Sequence, residues 1–187
     1  MTCFRYVFVL MALLSLWSCS DDEAKEVSAG TATEIYNKIK GTYEGSVRVV
    51  NESRRVTIVV GNDEFTVRQL PLEPILSVVF KSEKELDEAL ASAGAVATFT
   101  APIVNISLLS SSSLLNMEAT DLVFTVKVGG QSMPVSVLME SYAMWNSTWG
   151  TLTVQMNAQE LYCDGRRYDL TDNHINYFID DAKRPSE

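Results

Sequence analysis

From Ser46 onward the apolar positions recur every second residue. Val47 and Val49 alternate with Ser46, Arg48 and Val50; Val56, Ile58 and Val60 are spaced by Thr57 and Val59; Phe65 and Val67 are spaced by Thr66 and Arg68. Successive side chains leave a strand on opposite faces, so this period predicts strands with one face in a core. The polar stretches Asn51-Glu52-Ser53 and Gly61-Asn62-Asp63 supply tight turns between them, which makes the first half an antiparallel meander. The same period returns later. Val96 to Leu109 is β-rich but interrupted by Pro102, and Ser110 to Ser113 reads as a serine loop. Leu122, Phe124, Val126 and Val128 lead into Gly129-Gly130, a two-residue hairpin turn, with Met133, Val135, Val137 and Met139 on the return. Leu152, Val154 and Met156 form another alternating run, and Asp164-Gly165 joins Leu161-Tyr162-Cys163 to Arg166-Arg167-Tyr168. Ile175 to Ile179 is a last short strand or helical turn.

Two segments carry the helical period instead. Thr33 reads as the N-cap of a short helix with Ile35, Tyr36 and Ile39 on one side and Gly41 at its end. Leu70-Pro71-Leu72-Glu73-Pro74 breaks the meander, because two prolines cannot both donate to a ladder. Pro74 opens either a helix over Ile75 to Phe80 or a buried strand. Ser82 and Glu85 then have the spacing of a capping box, Leu86 and Leu90 share a face, and Gly94 closes the helix. The expected fold is mainly β: about eight antiparallel strands closed into a barrel, or a half-open barrel or sandwich, with one or two short helices inserted near 74–93.

Ahead of this domain the pattern is different. Arg5 precedes an almost unbroken apolar run from Tyr6 to Leu16, then Leu16-Trp17-Ser18-Cys19, then Ser20-Asp21-Asp22-Glu23. The apolar core of roughly 13 residues suits a secretory signal and is short of the roughly 20 that span a bilayer. A cysteine at the cleavage point is the arrangement of a bacterial lipoprotein. The reading is therefore a cleaved signal peptide at 1–18, a lipidated acidic tether at 19–33, and a single β-rich domain at 34–187, hung from a membrane by Cys19. Losing Arg5, the only charged side chain of the leader, takes the formal charge from −9 to −10. So acidic a chain repels phosphate backbones, which argues against nucleic acid as a partner. Once Cys19 is acylated only Cys163 is left, so no intramolecular disulfide forms, and Cys163 is expected to be a buried small hydrophobe.

Cys19-Ser20-Asp21-Asp22-Glu23 resembles the start of surface lipoproteins in Bacteroidetes-type bacteria. That resemblance implies an acidic export signal at Ser20, Asp21, Asp22 and Glu23 and a location on the outer membrane, exposed at the cell surface. Ile35-Tyr36-Asn37-Lys38-Ile39-Lys40-Gly41-Thr42-Tyr43-Glu44-Gly45 is similar to the opening of lipocalin-like lipoproteins of unknown function from the same bacteria. In those a short helix leads into a Gly-Thr-aromatic turn and the first barrel strand, which implies a lipocalin-like barrel here. The insertion at 74–93 departs from the plain barrel, and the resemblance carries no functional residues over.

The inventory for chemistry is thin. His174 is the only histidine, so a multi-histidine zinc site is impossible and any Ser-His-Asp triad must use it. No Walker segment, glycine-rich phosphate loop or Gly-x-Ser-x-Gly elbow occurs. Asp180-Asp181 reads as a solvated end. The one aromatic constellation is Tyr142, Trp145 and Trp149 around the polar turn Asn146-Ser147-Thr148. It is read either as a hairpin closed by a Trp145–Trp149 stack or as a platform on which a sugar ring or apolar ligand stacks. No catalytic residues and no cofactor are expected. The leading expectation is a non-catalytic binding module for a small apolar ligand, a glycan or an envelope partner. A structural or accessory subunit with no small ligand is the alternative, and a hydrolase using carboxylates is the remote one.

Overall fold

The computed structural model describes residues 25–26, 29–49, 52–109 and 111–185. The described residues form eleven strands and three helices in the order β1 (Lys25–Glu26), α1 (Ala29–Ile39), β2 (Gly41–Val49), β3 (Glu52–Val60), β4 (Glu64–Pro71), α2 (Glu73–Val79), α3 (Glu83–Ala93), β5 (Val96–Leu108), β6 (Ser112–Met117), β7 (Thr120–Val128), β8 (Gln131–Asn146), β9 (Thr151–Cys163), β10 (Arg166–Tyr168) and β11 (Asn176–Ala182). All the pairings are antiparallel, and eight strands close into a barrel in the order β2-β3-β4-β5-β6-β8-β9-β11. The fold is a lipocalin-like barrel, the closed form among the barrel, half-open barrel and sandwich expected from the sequence.

Closure depends on β11. Ile179 pairs with Val47 of β2 on one side and with Val154 of β9 on the other, making the C-terminal strand the last stave. The approach is tight at Gly45 of β2, where an added Cβ would stand 2.6 Å from Ile179 Cγ2 and 2.9 Å from Ala182 Cβ. A bulge between Ile179 and Ala182, with Asp181 at φ 45°, lets β11 bend over that point. A second bulge, between Val67 and Leu70 with Gln69 at φ 63°, bends β4.

Long strands serve two neighbours each. Residues Val96 to Pro102 of β5 pair with β4, and Ile103 to Leu108 pair with β6. Pro102, which lacks an N–H, sits where one partner is exchanged for the other, so its missing donor costs no ladder bond there. Residues Tyr142 to Asn146 of β8 pair with β6, while Gln131 to Met139 pair with β7. β7 therefore flares from the barrel, and α3 packs on it with Ser92 Oγ accepting from Lys127 N (2.7 Å) and Glu88 from Gly129 N (2.9 Å). Leu72, Ile75 and Leu76 at and within α2 are fully buried, so the core runs unbroken from barrel to helices.

The interior is filled by side chains. Tyr43, Phe65, Phe99 and Tyr177 are fully buried. Both tyrosine hydroxyls find carbonyls, Tyr43 donating to Ile39 O (2.6 Å) and Tyr177 to Pro71 O (2.8 Å) across the barrel. Arg184 follows β11 and donates to Lys38 O and Lys40 O at the C-terminal end of α1, with its guanidinium 5.4 Å from the Tyr43 ring centroid. A cation meeting the last carbonyls of a helix is favoured by the dipole, so the far end of the chain fixes the entrance helix.

Several local expectations are corrected. α1 begins at Ala29, upstream of the Thr33 cap, and Lys25–Glu26 already pair with Leu108–Ser107, so part of the stretch read as tether is folded against the barrel. Ser112 and Ser113 belong to strand β6, not to a serine loop; pairing with β5 and β8 on both sides overrides the low β-propensity of serine. β4 runs on through Pro71, whose partner is Val96. Ser82 occupies the cap of α3 but makes no side-chain capping bond, while Gly94 closes the helix in the left-handed conformation as expected. The segment after Pro74 is helical, and the last segment is a strand. The leader, Cys19 to Glu23 and the Asn51 turn residue lie outside the described residues.

Two predictions follow from the closure. Gly45→Val should destabilise the domain by about 1–3 kcal/mol, because Ala182 has no rotamer through which to yield; a denaturant midpoint equal to wild type would refute the tight seam. The second concerns alkali. Burial pushes the Tyr177 phenol well above its ordinary value, so it stays protonated in the fold while ionising in the unfolded chain. Stability is then fully present below about pH 10 and falls as the pH rises further. Tyr177→Phe should begin about 1–3 kcal/mol lower, because Pro71 O loses its donor, but show a shallower loss of stability from pH 9 to pH 11 in urea titrations.

Candidate functional site

With the interior occupied, binding surface is confined to the outer wall and the two ends. Strand phase decides which side chains face out. On β11 Tyr177 and Ile179 point inward, and Phe178 and Asp180 point to solvent. Pairing then lines up one row round the barrel: Phe178 opposite Gln155, Gln155 opposite Tyr142, Tyr142 opposite Asn116, and Asn116 opposite Asn105. The Ile179–Val47 and Arg48–Ser53 pairs carry it through Arg48 and Ser53 of β2 and β3.

The row is aromatic and amide in character. Phe178 is 52% exposed and Tyr142 39%, a large apolar area for rings on a wall flanked by polar residues. They lie two strands apart, roughly 10 Å at the backbone. Gln155 lies between them in register, accepting from the Tyr142 hydroxyl and donating to Asn157 Oδ1 (3.3 Å). Asn116 donates to Asn105 Oδ1 (2.7 Å), and Thr153 donates to Asp180 Oδ1 (3.2 Å). These bonds fix the amide planes while leaving each side chain free donors or acceptors. At the Phe178 end the wall opens into a cleft of about 460 Å³ lined by Ser46, Arg48, Ser53, Asn176, Phe178 and Asp180. The arrangement presents flat apolar faces beside a dense set of uncharged hydrogen-bonding groups, with one cation and one anion at the cleft.

Two other concavities are of different character. An open cleft of about 540 Å³ beside β10 contains Arg167, Tyr168, Asp169, Thr171 and His174. Its acid is already engaged: Thr171 donates from Oγ1 (2.6 Å) and N (2.9 Å) to Asp169 Oδ1, which holds that carboxyl below its ordinary range, and Arg167 pairs with Glu160 at 3.2 Å. Between α1 and β5 a groove of about 380 Å³ is lined by Tyr36, Lys40, Asp63 and Val104 among others. There burial, then the Asp63 charge, pushes the Tyr36 phenol up to about 12. Cys163 is buried, with its thiol raised by burial and by neighbouring Asp164. Among the described residues no group of three or more His, Cys, Asp or Glu is placed to hold a metal.

The three aromatics singled out in the sequence do not come together. β8 continues as a strand to Asn146, and positions 142 and 145 differ by an odd number, so Tyr142 faces out while Trp145 turns toward the barrel mouth and packs half-buried against the core. Trp145 pairs with Leu152, not with Trp149, which sits in the turn and is 73% exposed. The expected stack is therefore not formed. Tyr142 alone joins the wall site. Phe178, Gln155 and Arg48 escaped the sequence reading because their rows exist only once β11 is set between β2 and β9. Their one local signal was Phe178 itself, a large apolar residue on the polar phase of its strand.

Residues 38–163 match a family described as a domain of unknown function (DUF4840). No curated protein and no solved structure matches the chain.

The different placements of the tryptophans give a test. Trp149→Ala should shift stability by no more than about 0.5 kcal/mol. Trp145→Ala should cost about 2 kcal/mol, below the 3–5 kcal/mol typical of a fully buried ring. Equal losses in thermal or denaturant melts would contradict the structure.

Proposed function

The chain belongs to the DUF4840 family, and on that premise we propose that it is a lipid-anchored module of the cell envelope that binds a neutral glycan on the outer wall of its barrel and performs no chemistry on it. Cys19 carries the acyl chains, and Ser20 to Glu23 direct the protein to the surface of the outer membrane. The observation that supports glycan recognition is the pair of half-exposed rings, Phe178 and Tyr142, framing Gln155 within a row of amides and hydroxyls. A sugar ring offers apolar C–H faces and a rim of hydroxyls that donate and accept at once. Aromatic faces suit the first, and Asn, Gln, Ser and Thr suit the second. A small apolar ligand inside the barrel is disfavoured by the buried tyrosines and phenylalanines that fill it. An envelope protein is the second reading, favoured by β10, which among the described residues stands at the end of the sheet with β9 as its one strand partner and so offers an edge for strand addition.

Neutral oligosaccharides titrated against the purified protein should bind, with Phe178→Ala and Tyr142→Ala each weakening binding at least about tenfold, or about 1.4 kcal/mol. Both rings project outward, so the melting temperature should move by only a few degrees. Binding that ignores both substitutions, or no binding to any neutral saccharide tested, would overturn the assignment.

A further inference from the structure

The end of the barrel at which the chain enters carries a second feature. α1 runs into β2 there, β1 pairs Lys25 with Leu108, and the turn after Leu108 contacts the β8–β9 turn: Ser147 Oγ and Ser147 N both donate to Ser111 O, at 3.1 and 3.4 Å. Trp149 stands two residues on from Ser147. This turn has a built geometry. Asn146 Oδ1 accepts from Thr148 N (3.0 Å) and Trp149 N (3.2 Å), Gly150 N donates to Asn146 O (2.9 Å), and Gly150 takes φ 65°. A fixed backbone thus holds an indole that is 73% exposed. Beside it the sequence is uncharged, both over Asn146-Ser147-Thr148-Trp149-Gly150-Thr151 and over residues 109–113.

We infer that Trp149 is a membrane contact, its ring seated at the headgroup level of the bilayer that holds the anchor, so that the barrel stands on this end with the Phe178–Tyr142 wall rising away from the lipid. The inference rests on acylation at Cys19. Five residues lie between Cys19 and Lys25, and the six Cα-to-Cα steps that join them span at most about 20 Å even when fully extended. The barrel end that receives Lys25 is therefore held within reach of the membrane, and Trp149 is joined to that end through Ser147, Ser111 and the Leu108 pairing. Tryptophan partitions to the interface because its ring is apolar and its N–H needs a polar partner. The serines and threonines next to Trp149 carry no charge, so the ring itself meets no like-charge barrier at the membrane surface; Asp63 and Glu64 at the β3–β4 turn stand elsewhere on the same end. A single acyl anchor leaves orientation free; a fixed aromatic beside it supplies a second point of contact and restricts the tilt.

The test uses the full lipidated protein, wild type and Trp149→Phe, in phosphatidylcholine–phosphatidylethanolamine vesicles with and without a lipid bearing a nitroxide at the headgroup. Trp149 is one of two tryptophans after residue 18, so the nitroxide should remove roughly half of the wild-type emission and little of that from Trp149→Phe, in which half-buried Trp145 is the reporter. Equal quenching of the two proteins, or none in either while both co-float with the vesicles, would overturn the membrane contact and leave the anchor intact. Failure of wild type to co-float, with no difference from Cys19→Ala, would instead overturn the anchor and the inference resting on it. Loss of quenching when the vesicles carry bound neutral glycan would reassign Trp149 to the sugar.

Discussion

Everything in this domain hangs on one seam, the seating of β11 between β2 and β9. Residues 41–71 form a meander whose strands are neighbours in sequence and close short loops at little entropic cost. β11 lies more than a hundred residues from its partner β2, and joining them converts an open sheet into a barrel without exposed edges there. The join needs close backbone approach, which Gly45 permits because it has no Cβ, and a local bend, which the bulge at Asp181 provides. Arg184, just beyond, ties the same seam to the carbonyls that end α1.

Closure of eight strands leaves an interior of a size that side chains fill, and here Tyr43, Phe65, Phe99 and Tyr177 fill it. Two of those residues bring hydroxyls into the core, and each is placed where a carbonyl is free to accept. The Tyr177–Pro71 bond also joins the last strand to the start of the helical insertion, so the burial of Leu72, Ile75 and Leu76 and the closure of the barrel support each other. The inside is committed to packing, and the outward phase of the strands is what the barrel presents. There the same closure brings Phe178, Gln155 and Tyr142 from three strands into one row. The packed core and the candidate site are thus built from alternate residues of the same strands.

How much of this was legible in the residues varies by the range of the interaction. The Gly129-Gly130 and Asp164-Gly165 turns, the helix closed by Gly94 and the alternating strands were readable, because each depends on a few adjacent residues. Strand β6 was not, since Ser112 and Ser113 are poor strand formers that pair only because β5 and β8 flank them. The aromatic group around Asn146 misled for a related reason. Where a strand ends sets which residues share a face, and β8 runs on past Tyr142 to Asn146 because β6 and β9 pair with it that far.

By itself the sequence determined the strand periods, the hairpin turns, the helix stops and the acidic, histidine-poor composition, all of which follow from local sterics, side-chain polarity or counting. The tertiary structure decided which strand completes the barrel, that its interior is packed rather than hollow, that Trp145 and Trp149 part company, and that Phe178 stands in line with Tyr142. Those outcomes depend on register between segments far apart in the chain. A shift of one residue in that register would turn every side chain of β11 to the opposite face.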